Sequence, residues 1–202
     1  MQTPVLFETI KIDNGKINYL DYHQKRCTKS RQALFQSTDI LDLSSIIVAP
    51  KMGIWRCRIY YAKSFISVEY IPYTPKKIKR LKIVPSSLTY DYKYANREAL
   101  NALLLSHPDV DDVLIEKEGV ISDTSIANIA FYDGEQWVTP KHPLLEGTTR
   151  ARLLETGFLQ TKIIKKESLS LYTQVALMNS MIGFLPLNHI TMIDTQGENY
   201  DY

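Results

Sequence analysis

Short alternations of hydrophobic and polar residues in the first part of the chain predict strands. The alternating or β-rich segments are residues 6–12, 17–20, 55–61 and 65–70, which contain the aromatic and β-branched residues that strands favour. Asp13-Asn14-Gly15-Lys16 separates the first two segments and has the composition of a hairpin turn. Residues 22–35 contain neither glycine nor proline and predict a helix. We therefore expect an α+β arrangement in this part of the chain.

The second part of the chain mixes strand-like and helix-like segments. The strand-like ones are residues 81–84, 113–116, 120–121, 126–132, 137–138, 162–166 and 175–179, and the helix-like ones are residues 97–106, 147–155 and 169–172. Residues 85–92 are rich in Ser, Thr and Tyr, a composition typical of a linker. We therefore expect a small N-terminal α+β domain over residues 1–84, a linker over residues 85–92 and a larger C-terminal domain over residues 93–202.

Charge and hydropathy exclude several classes of protein. The chain has 202 residues, with 24 Lys and Arg against 22 Asp and Glu, so its net charge is +2. This balance provides no broad positive field, and nucleic acid is not expected as a partner. Residues 168–193 lack charge but contain amides, hydroxyls and Pro186, which is typical of a buried strand and loop and not of a transmembrane helix. Since the N-terminus also lacks the features of a secretory signal, we expect a cytoplasmic protein with no membrane partner.

The positions of glycine, cysteine and histidine exclude further kinds of site. The eight glycines are all at least ten residues apart, so the chain has neither a Rossmann GxGxxG motif nor a Walker A loop. The four histidines and two cysteines show no ligand spacing, so no metal site is expected. A GxSxG nucleophile motif is also absent from the sequence. Cys27 and Cys57 are expected to be reduced thiols.

Four polar groups in otherwise apolar segments are candidates for chemistry. Lys93 lies among tyrosines before a predicted helix, and is either a surface residue or a lysine of lowered pKa that forms a Schiff base. Asp123 lies beside a predicted strand, either as a turn carboxylate or as a functional one. Gly147-Thr148-Thr149 opens a predicted helix, either as a plain N-terminus or as an anion site. The fourth group is Asn179-Ser180, within the uncharged stretch.

Six short motifs occur in a fixed order along the chain. They are FET at residues 7–9, HxxR at 23–26, KxxNR at 93–97, DTSxAN at 123–128, LLxGTTR at 144–150 and NSMxGxxP at 179–186. In this order they resemble the class IV aminotransferase family, the fold-type IV group of enzymes that use pyridoxal 5'-phosphate (PLP). The resemblance runs from Leu6 to about Pro186. It implies an α+β enzyme with two α/β subdomains, similar to D-amino acid aminotransferase, in which the larger C-terminal domain binds PLP.

The resemblance also implies roles for Lys93 and Asp123. Lys93 matches the catalytic lysine of the family, which forms a Schiff base with PLP and later moves protons. Asp123 matches the carboxylate that pairs with the protonated pyridine nitrogen of the cofactor. The family usually has Glu at this position, and Asp is one methylene shorter.

The same resemblance implies which residues bind the phosphate group of PLP. Arg26 matches the phosphate-binding arginine, a use of the guanidinium that lysine could not replace equally. Thr148 and Thr149 match the phosphate loop, where they supply hydroxyl and backbone donors. Ser180 matches a position at which family members either hold the phosphate or form the surroundings of the cofactor.

Substrate binding is less closely defined by the sequence. Arg56, Arg58 and Tyr60 share one face of a predicted strand, where one arginine either binds a substrate carboxylate or belongs to a solvated face. Asn179 is a further candidate for substrate binding.

The segment at residues 179–186 resembles the branch of the family that contains 4-amino-4-deoxychorismate lyase. That lyase releases pyruvate from aminodeoxychorismate and leaves 4-aminobenzoate for folate synthesis. The alternative function is that of a branched-chain or D-amino acid aminotransferase. A third hypothesis is a protein that binds PLP without catalysis. The resemblance further implies a homodimer with a small-molecule substrate. Because FET begins at residue 7, we expect an N-terminally trimmed form of the fold.

Overall fold

The computed structural model describes residues 3–202, and the chain divides into two compact units. The first unit holds the described chain up to Pro75 together with Tyr92–Asn96. The second unit holds Lys76–Asp91 and Arg97–Tyr202. Each unit has its own hydrophobic core.

The first unit is one antiparallel sheet with a helix packed against it. Its elements are β1 (Leu6–Asp13), β2 (Lys16–Ile17), α1 (Leu20–Phe35), β3 (Ile54–Tyr61) and β4 (Phe65–Pro72). The strand order is β2-β1-β3-β4. Asn14 and Gly15 have φ angles of 48° and 84°, as a two-residue hairpin requires, because its turn needs a left-handed backbone at both positions. The core between helix and sheet contains Leu6, Ile10, Ile12, Cys27, Leu43, Cys57, Ile59 and Tyr61.

The segment Tyr92–Asn96 adds to the edge of β1. The backbone N–H of Phe7 donates to the carbonyl of Lys93 at 3.0 Å, and the N–H of Ala95 donates to the carbonyl of Val5 at 2.8 Å. These two bonds hold the backbone from the carbonyl of Lys93 to Ala95 against β1.

The second unit is built from two five-stranded sheets. Its elements are β5 (Arg80–Pro85), α2 (Glu98–Leu105), β6 (Asp112–Lys117), β7 (Val120–Thr124), β8 (Asn128–Tyr132), β9 (Trp137–Pro140), α3 (Thr148–Glu155), β10 (Leu159–Lys162), a 3₁₀ helix (Lys166–Leu171), β11 (Gln174–Asn179), β12 (Gly183–Leu187), β13 (Thr191–Ile193) and β14 (Asn199–Asp201). The sheet orders are β10-β9-β8-β11-β12 and β14-β13-β5-β6-β7. A shared core lies between the sheets, with Leu81 and Leu114 from one and Phe131 and Leu177 from the other.

The division between the units differs from the boundaries expected from the sequence. Strand β5 pairs in parallel with β6, so residues 80–85 group with the second unit, although we expected the first domain to extend to residue 84. Lys93 groups with the first unit, although we expected it to begin the second domain. Both differences have one cause, which is that backbone pairing with a distant strand decides where a segment belongs.

Not every predicted strand is confirmed. The strand expected over residues 17–20 is limited to Lys16–Ile17, because α1 begins at Leu20. We expected a strand over residues 162–166, but β10 ends at Lys162. The following residues cross the start of β7, where Ile121 N–H donates to the carbonyl of Ile164 at 2.8 Å and Lys166 N–H donates to that of Gly119 at 2.9 Å. The segment is therefore tied to β7 by a single bridge and does not extend β10. Across residues 3–202, no helix combines the length and apolar composition that crossing a bilayer requires.

Candidate active site

A fully buried carboxylate organises the interior of the first unit. Glu8 lies on β1, and Arg26 donates to its Oε1 from Nε at 2.9 Å and to its Oε2 from Nη2 at 2.5 Å. His23 Nδ1 lies 2.7 Å from Oε2, and the Tyr61 hydroxyl lies 3.4 Å from Oε1. His23 and Arg26 reach the same carboxylate because positions i and i+3 share one face of a helix.

Ionisation in this cluster follows from burial and charge. Burial raises the pKa of Glu8, but the charge of Arg26 and the hydrogen bond of His23 outweigh it and lower that pKa to about 2. Burial lowers the pKa of His23, and the positive charges of Arg26 and Lys93 lower it further, against the effect of Glu8. The cluster therefore holds an ionised Glu8 and a neutral His23, whose Nδ1–H we assign as the donor to Oε2.

Lys93 and Arg58 lie against the same aromatic ring. Lys93 Nζ lies 4.7 Å from the centroid of the Phe7 ring, and the guanidinium carbon of Arg58 lies 5.7 Å from it. Phe7 also stacks on Tyr60, at 5.8 Å between ring centroids. Two cationic side chains from different parts of the sequence thus share one aromatic platform.

The two arginines of β3 have different partners. Arg58 Nη1 donates to Glu69 Oε1 at 3.3 Å, and the Tyr60 hydroxyl donates to the same oxygen at 2.8 Å. Arg56 lies over the Tyr73 ring instead, at 5.1 Å from its centroid. The structure therefore brings Arg58, and not Arg56, to the Phe7 platform that Lys93 shares.

In the second unit, Asp123 presents a buried carboxylate oxygen that has no partner. Its Oδ2 accepts from Asn128 Nδ2 at 2.8 Å and from the Leu145 N–H at 3.0 Å. Its Oδ1 is buried and accepts no hydrogen bond. Burial raises the pKa of Asp123 to about 6, against the opposing effects of Asn128, Leu145 and Arg150. The arrangement leaves one acceptor able to receive a donor, and such a donor would favour the ionised carboxylate.

Gly147 is required by a close approach and not by its backbone angles. Its φ of −68° is open to any residue. A Cβ at this position would overlap the side-chain oxygen of Asn128. The glycine before the threonine pair therefore makes room for the amide that holds Asp123.

The start of α3 has the properties of an anion site. Thr148 and Thr149 are buried in its first turn, and the N–H of Ala151 makes the intrahelical bond to the carbonyl of Gly147 at 2.9 Å. The N–H groups before it have no acceptor within the helix, and the helix dipole places partial positive charge there. Arg150 is also buried and donates from Nη2 to the carbonyl of Pro140 at 2.9 Å.

Asn179 shapes the turn that carries Ser180. Asn179 Oδ1 accepts from the N–H groups of Met181 at 2.9 Å and Ile182 at 3.1 Å, and its Nδ2 donates to the carbonyl of Ile126 at 3.3 Å. Ser180 lies half-buried in this turn after β11. The side chain of Asn179 thus holds the turn together.

The predicted site residues fall into two groups. Arg26, Arg56, Arg58 and Lys93 belong to the first unit, whereas Asp123, Thr148, Thr149, Asn179 and Ser180 belong to the second.

Sequence reasoning did not single out four further residues, namely Glu8, His23, Asn128 and Arg150, although all four lie inside the six motifs. A signal existed for Glu8, because the alternation of β1 places it on the same face as Leu6 and Ile10.

Comparison with known proteins identifies the family of the chain. The chain matches the family of class IV amino-transferases over residues 5–190. An uncharacterized protein of Haemophilus influenzae is 33% identical over 184 residues, which is 88% of this chain and 98% of that protein. The solved structure of a "putative 4-amino-4-deoxychorismate lyase" from Haemophilus somnus has 32% sequence identity and a TM-score of 0.79, over 91% of this chain and 99% of that one.

A second solved structure shares the fold at lower identity. It is a hypothetical aminotransferase from Mycobacterium tuberculosis in its PLP-bound form, 17% identical, with a TM-score of 0.77 over 94% of this chain and 82% of that one. The expected α+β, fold-type IV architecture is confirmed. The family match also confirms PLP as the cofactor. The chain belongs to the class IV aminotransferase family and is a PLP-dependent enzyme.

Proposed function

We propose that this enzyme is a 4-amino-4-deoxychorismate lyase, which releases pyruvate from aminodeoxychorismate and leaves 4-aminobenzoate. The observation that carries the proposal is the 32% identity to the Haemophilus somnus protein, since it extends over 91% of this chain and 99% of that one. The NSMxGxxP segment at residues 179–186 supports the same branch of the family. The substrate equals the sum of the two products, so the reaction requires neither an oxidant nor a second substrate.

The residues of the second unit fit the cofactor that the family uses. A protonated ring nitrogen is a donor, and Asp123 Oδ1 is a buried acceptor without a partner. The first turn of α3, with Thr148 and Thr149, offers donors suited to a phosphate group. PLP, when bound, supplies an electron sink that stabilises negative charge at the substrate carbon from which a proton is removed.

The proposal gives Lys93 the acid–base role. Its amine would hold the cofactor, take the proton from the ring carbon that bears the substrate amine, and deliver it to the methylene carbon of the departing enolpyruvyl group, which leaves as pyruvate. Asp123, as a carboxylate, keeps the ring nitrogen of the cofactor protonated. Arg26 and the α3 threonines bind its phosphate, with Arg26 held in one orientation by its two bonds to Glu8. Ser180 is assigned to the surroundings of the cofactor.

Arg58 is the proposed partner of a substrate carboxylate. It shares the Phe7 ring with Lys93, so a substrate held by this guanidinium lies near the reactive amine. Arg56 is the second choice because its guanidinium lies over Tyr73. Asn179 is proposed to contribute to substrate binding through the turn that its side chain holds together.

The test is a comparison of two assays on the purified, PLP-loaded protein. In the first, aminodeoxychorismate is supplied, and 4-aminobenzoate and pyruvate are measured in equal amounts by chromatography. In the second, a panel of branched-chain and D-amino acids is supplied with a 2-oxo acid acceptor. Formation of 4-aminobenzoate supports the lyase, whereas turnover of the panel alone replaces it with an aminotransferase.

Lysine variants separate catalysis from cofactor binding alone. Lys93→Ala is expected to abolish product formation and the visible absorbance of bound PLP. Lys51→Ala, at an exposed lysine of the same unit, is the matched control and is expected to behave as the unaltered protein. A protein that binds PLP through Lys93 but turns over neither substrate set would be a binding protein without catalysis.

The finer biological setting is part of the proposal. A lyase of this kind serves folate synthesis in the cytoplasm, and the family resemblance implies a homodimer. Light scattering coupled to size-exclusion chromatography tests the second point, and a mass of about 23 kDa in place of twice that value would contradict it.

A further inference from the structure

The amide nitrogen of Asn128 donates both to the loop before α3 and to Asp123. Asn128 is 5% exposed and stands at the start of β8. Its Nδ2 donates to Asp123 Oδ2 at 2.8 Å and to the carbonyl of Leu145 at 2.8 Å. The N–H of Leu145 donates to the same Oδ2 at 3.0 Å. Asn128, Asp123 and Leu145 thus form a closed ring of hydrogen bonds.

These hydrogen bonds reach only one carboxylate oxygen of Asp123, Oδ2. Two donors on Oδ2 fix both the side-chain rotamer and the plane of the carboxylate, because each donor prefers the direction of an oxygen lone pair. The other oxygen, Oδ1, is left buried and without a donor. A buried acceptor without a partner is unfavourable, so its presence needs an explanation.

Gly147 shows that the position of Asn128 is built into the surroundings. A Cβ on Gly147 would overlap the Asn128 oxygen. Since Gly147 has ordinary extended angles, alanine would fit its backbone, and contact with the amide is what opposes alanine. Asn128 therefore has a donor side that faces Asp123 and Leu145 and an oxygen side packed against Gly147.

We propose that Asn128 is a positioning residue that holds Asp123 Oδ2 so that Oδ1 is presented to the protonated ring nitrogen of PLP, and that Gly147 provides the space in which Asn128 does so. The inference rests on the proposed role of Asp123 toward the cofactor. It adds a residue that acts on the cofactor through Asp123 and not by touching it.

A purely structural role makes different predictions. If Asn128 only joined β8 to the Leu145 loop, its removal would lower the stability of the protein but leave the titration of Asp123 and the affinity for PLP unchanged. If it positions Asp123, both of these properties change, because Oδ2 loses a donor that favours the ionised form.

The first experiment compares Asn128→Ala with Asn101→Ala, an amide-to-methyl change at an exposed residue of α2. The carboxyl carbon of Asp123 is titrated by NMR in the PLP-free protein, and the PLP dissociation constant is measured by absorbance titration. For Asn128→Ala we expect a higher titration midpoint for Asp123 and PLP binding weaker by about tenfold or more, as for the loss of a hydrogen bond to a charged group. For Asn101→Ala we expect neither change.

The second experiment tests the pairing with Gly147 by a double-mutant cycle. Gly147→Ala alone is expected to weaken PLP binding because its Cβ displaces the Asn128 amide. In the Asn128→Ala background the same change is expected to have little further effect, because the side chain that it would displace is gone. Such non-additivity does not arise from two independent losses of stability.

Each outcome decides a different claim. If the unaltered protein binds PLP and Asn128→Ala binds it equally tightly, the inference is overturned while the proposed function stands. Additive effects of Asn128→Ala and Gly147→Ala overturn the role given to Gly147. If the unaltered protein takes up no PLP, both the proposed function and the inference are overturned.

Discussion

His23 Nδ1 lies 2.7 Å from Glu8 Oε2 in an interior where both side chains are almost completely buried. A second partner, Arg26, binds both oxygens of the same carboxylate. Because burial lowers the pKa of His23, this histidine is neutral. It therefore donates a hydrogen bond to Glu8 without placing a second positive charge beside it. A carboxylate held in this way fixes the orientation of the arginine to which we assign the phosphate of PLP.

Replacing Glu8 with Gln should destabilise the protein and weaken its hold on PLP. The change removes the negative charge but keeps the shape, and it leaves the guanidinium of Arg26 without its counter-charge in a place where Arg26 is only 13% exposed. Breaking a buried ion pair in this way costs about 3 kcal/mol. We expect a loss of that order in urea unfolding, against almost none for the exposed control Glu135→Gln. Equal unfolding midpoints for the two variants would contradict the importance of the pair.

The stability of the protein should depend on Glu8 in acid. The pKa of Glu8 is lowered from 4.5 to about 2 in the folded protein, so folding favours its ionised form. The stabilisation from this group is complete above the unfolded pKa and is lost as the pH falls from about 4.5 toward 2. Unfolding free energies measured across this window should fall more steeply for the unaltered protein than for Glu8→Gln, which has no group to protonate here. Parallel curves would show that Glu8 is not the group responsible.

Asp123, unlike Glu8, should lower the stability of the PLP-free protein when it is ionised. Its folded pKa is raised from 3.8 to about 6 by burial, so ionisation at neutral pH opposes folding of the PLP-free protein. Asp123→Asn removes this cost, and we expect the PLP-free variant to be more stable at pH 7 by about 3 kcal/mol. The advantage should shrink as the pH falls below about 6, since the aspartate then becomes neutral as well.

Affinity for PLP provides the second half of this test. Asparagine has no charge to pair with a protonated ring nitrogen, so Asp123→Asn should bind PLP more weakly and lose most of its activity. Thermal unfolding with and without PLP measures both effects in one experiment. A variant that is less stable than the unaltered protein without PLP would contradict the pKa shift, and one that keeps full activity would contradict the role of Asp123.

Most elements of the first unit were predictable because they are encoded locally, although the strand expected over residues 17–20 gives way to α1 at Leu20. The turn at Asn14-Gly15 has two residues that accept positive φ, and the flanking alternation fixes which faces are buried. The strand expected over residues 162–166 failed for the converse reason, since Ile164 is tied to β7 by pairing across more than forty residues of chain. Alternation alone does not reveal which strand a segment will pair with.

The candidate site also has features that the local sequence predicts and features that depend on long-range contacts. Lys93, Asp123 and the α3 threonines could be proposed because each belongs to a motif. The contacts between different motifs could not be proposed, because Asn128 meets Gly147, and Glu8 meets Arg26, only after the chain has folded. The apolar pattern places Glu8 on a buried face, but only the structure identifies the cation that makes this burial tolerable.

Substrate affinity should respond in opposite directions to two changes around Arg58. Arg58→Gln removes the proposed partner of a substrate carboxylate and should raise KM about tenfold or more with a smaller effect on kcat. Glu69→Gln removes the negative charge that binds Arg58, and should lower KM because the guanidinium becomes available. Steady-state kinetics with aminodeoxychorismate measure both. Arg56→Gln is the matched control on the same strand, and a larger KM effect there would transfer the carboxylate role to Arg56.

Removing a hydroxyl from the first turn of α3 should weaken PLP through its phosphate alone. Thr149→Val keeps the shape of a buried side chain and deletes one donor, so we expect PLP to bind less tightly by roughly tenfold. Pyridoxal, which has no phosphate, should bind to the variant and to the unaltered protein with similar affinity. Thr156→Val, at the far end of the helix, is the control because its hydroxyl donates to the carbonyl of Leu153 at 3.1 Å. If Thr149→Val weakened pyridoxal as much as PLP, the hydroxyl would be supporting the fold of the site and not binding the phosphate.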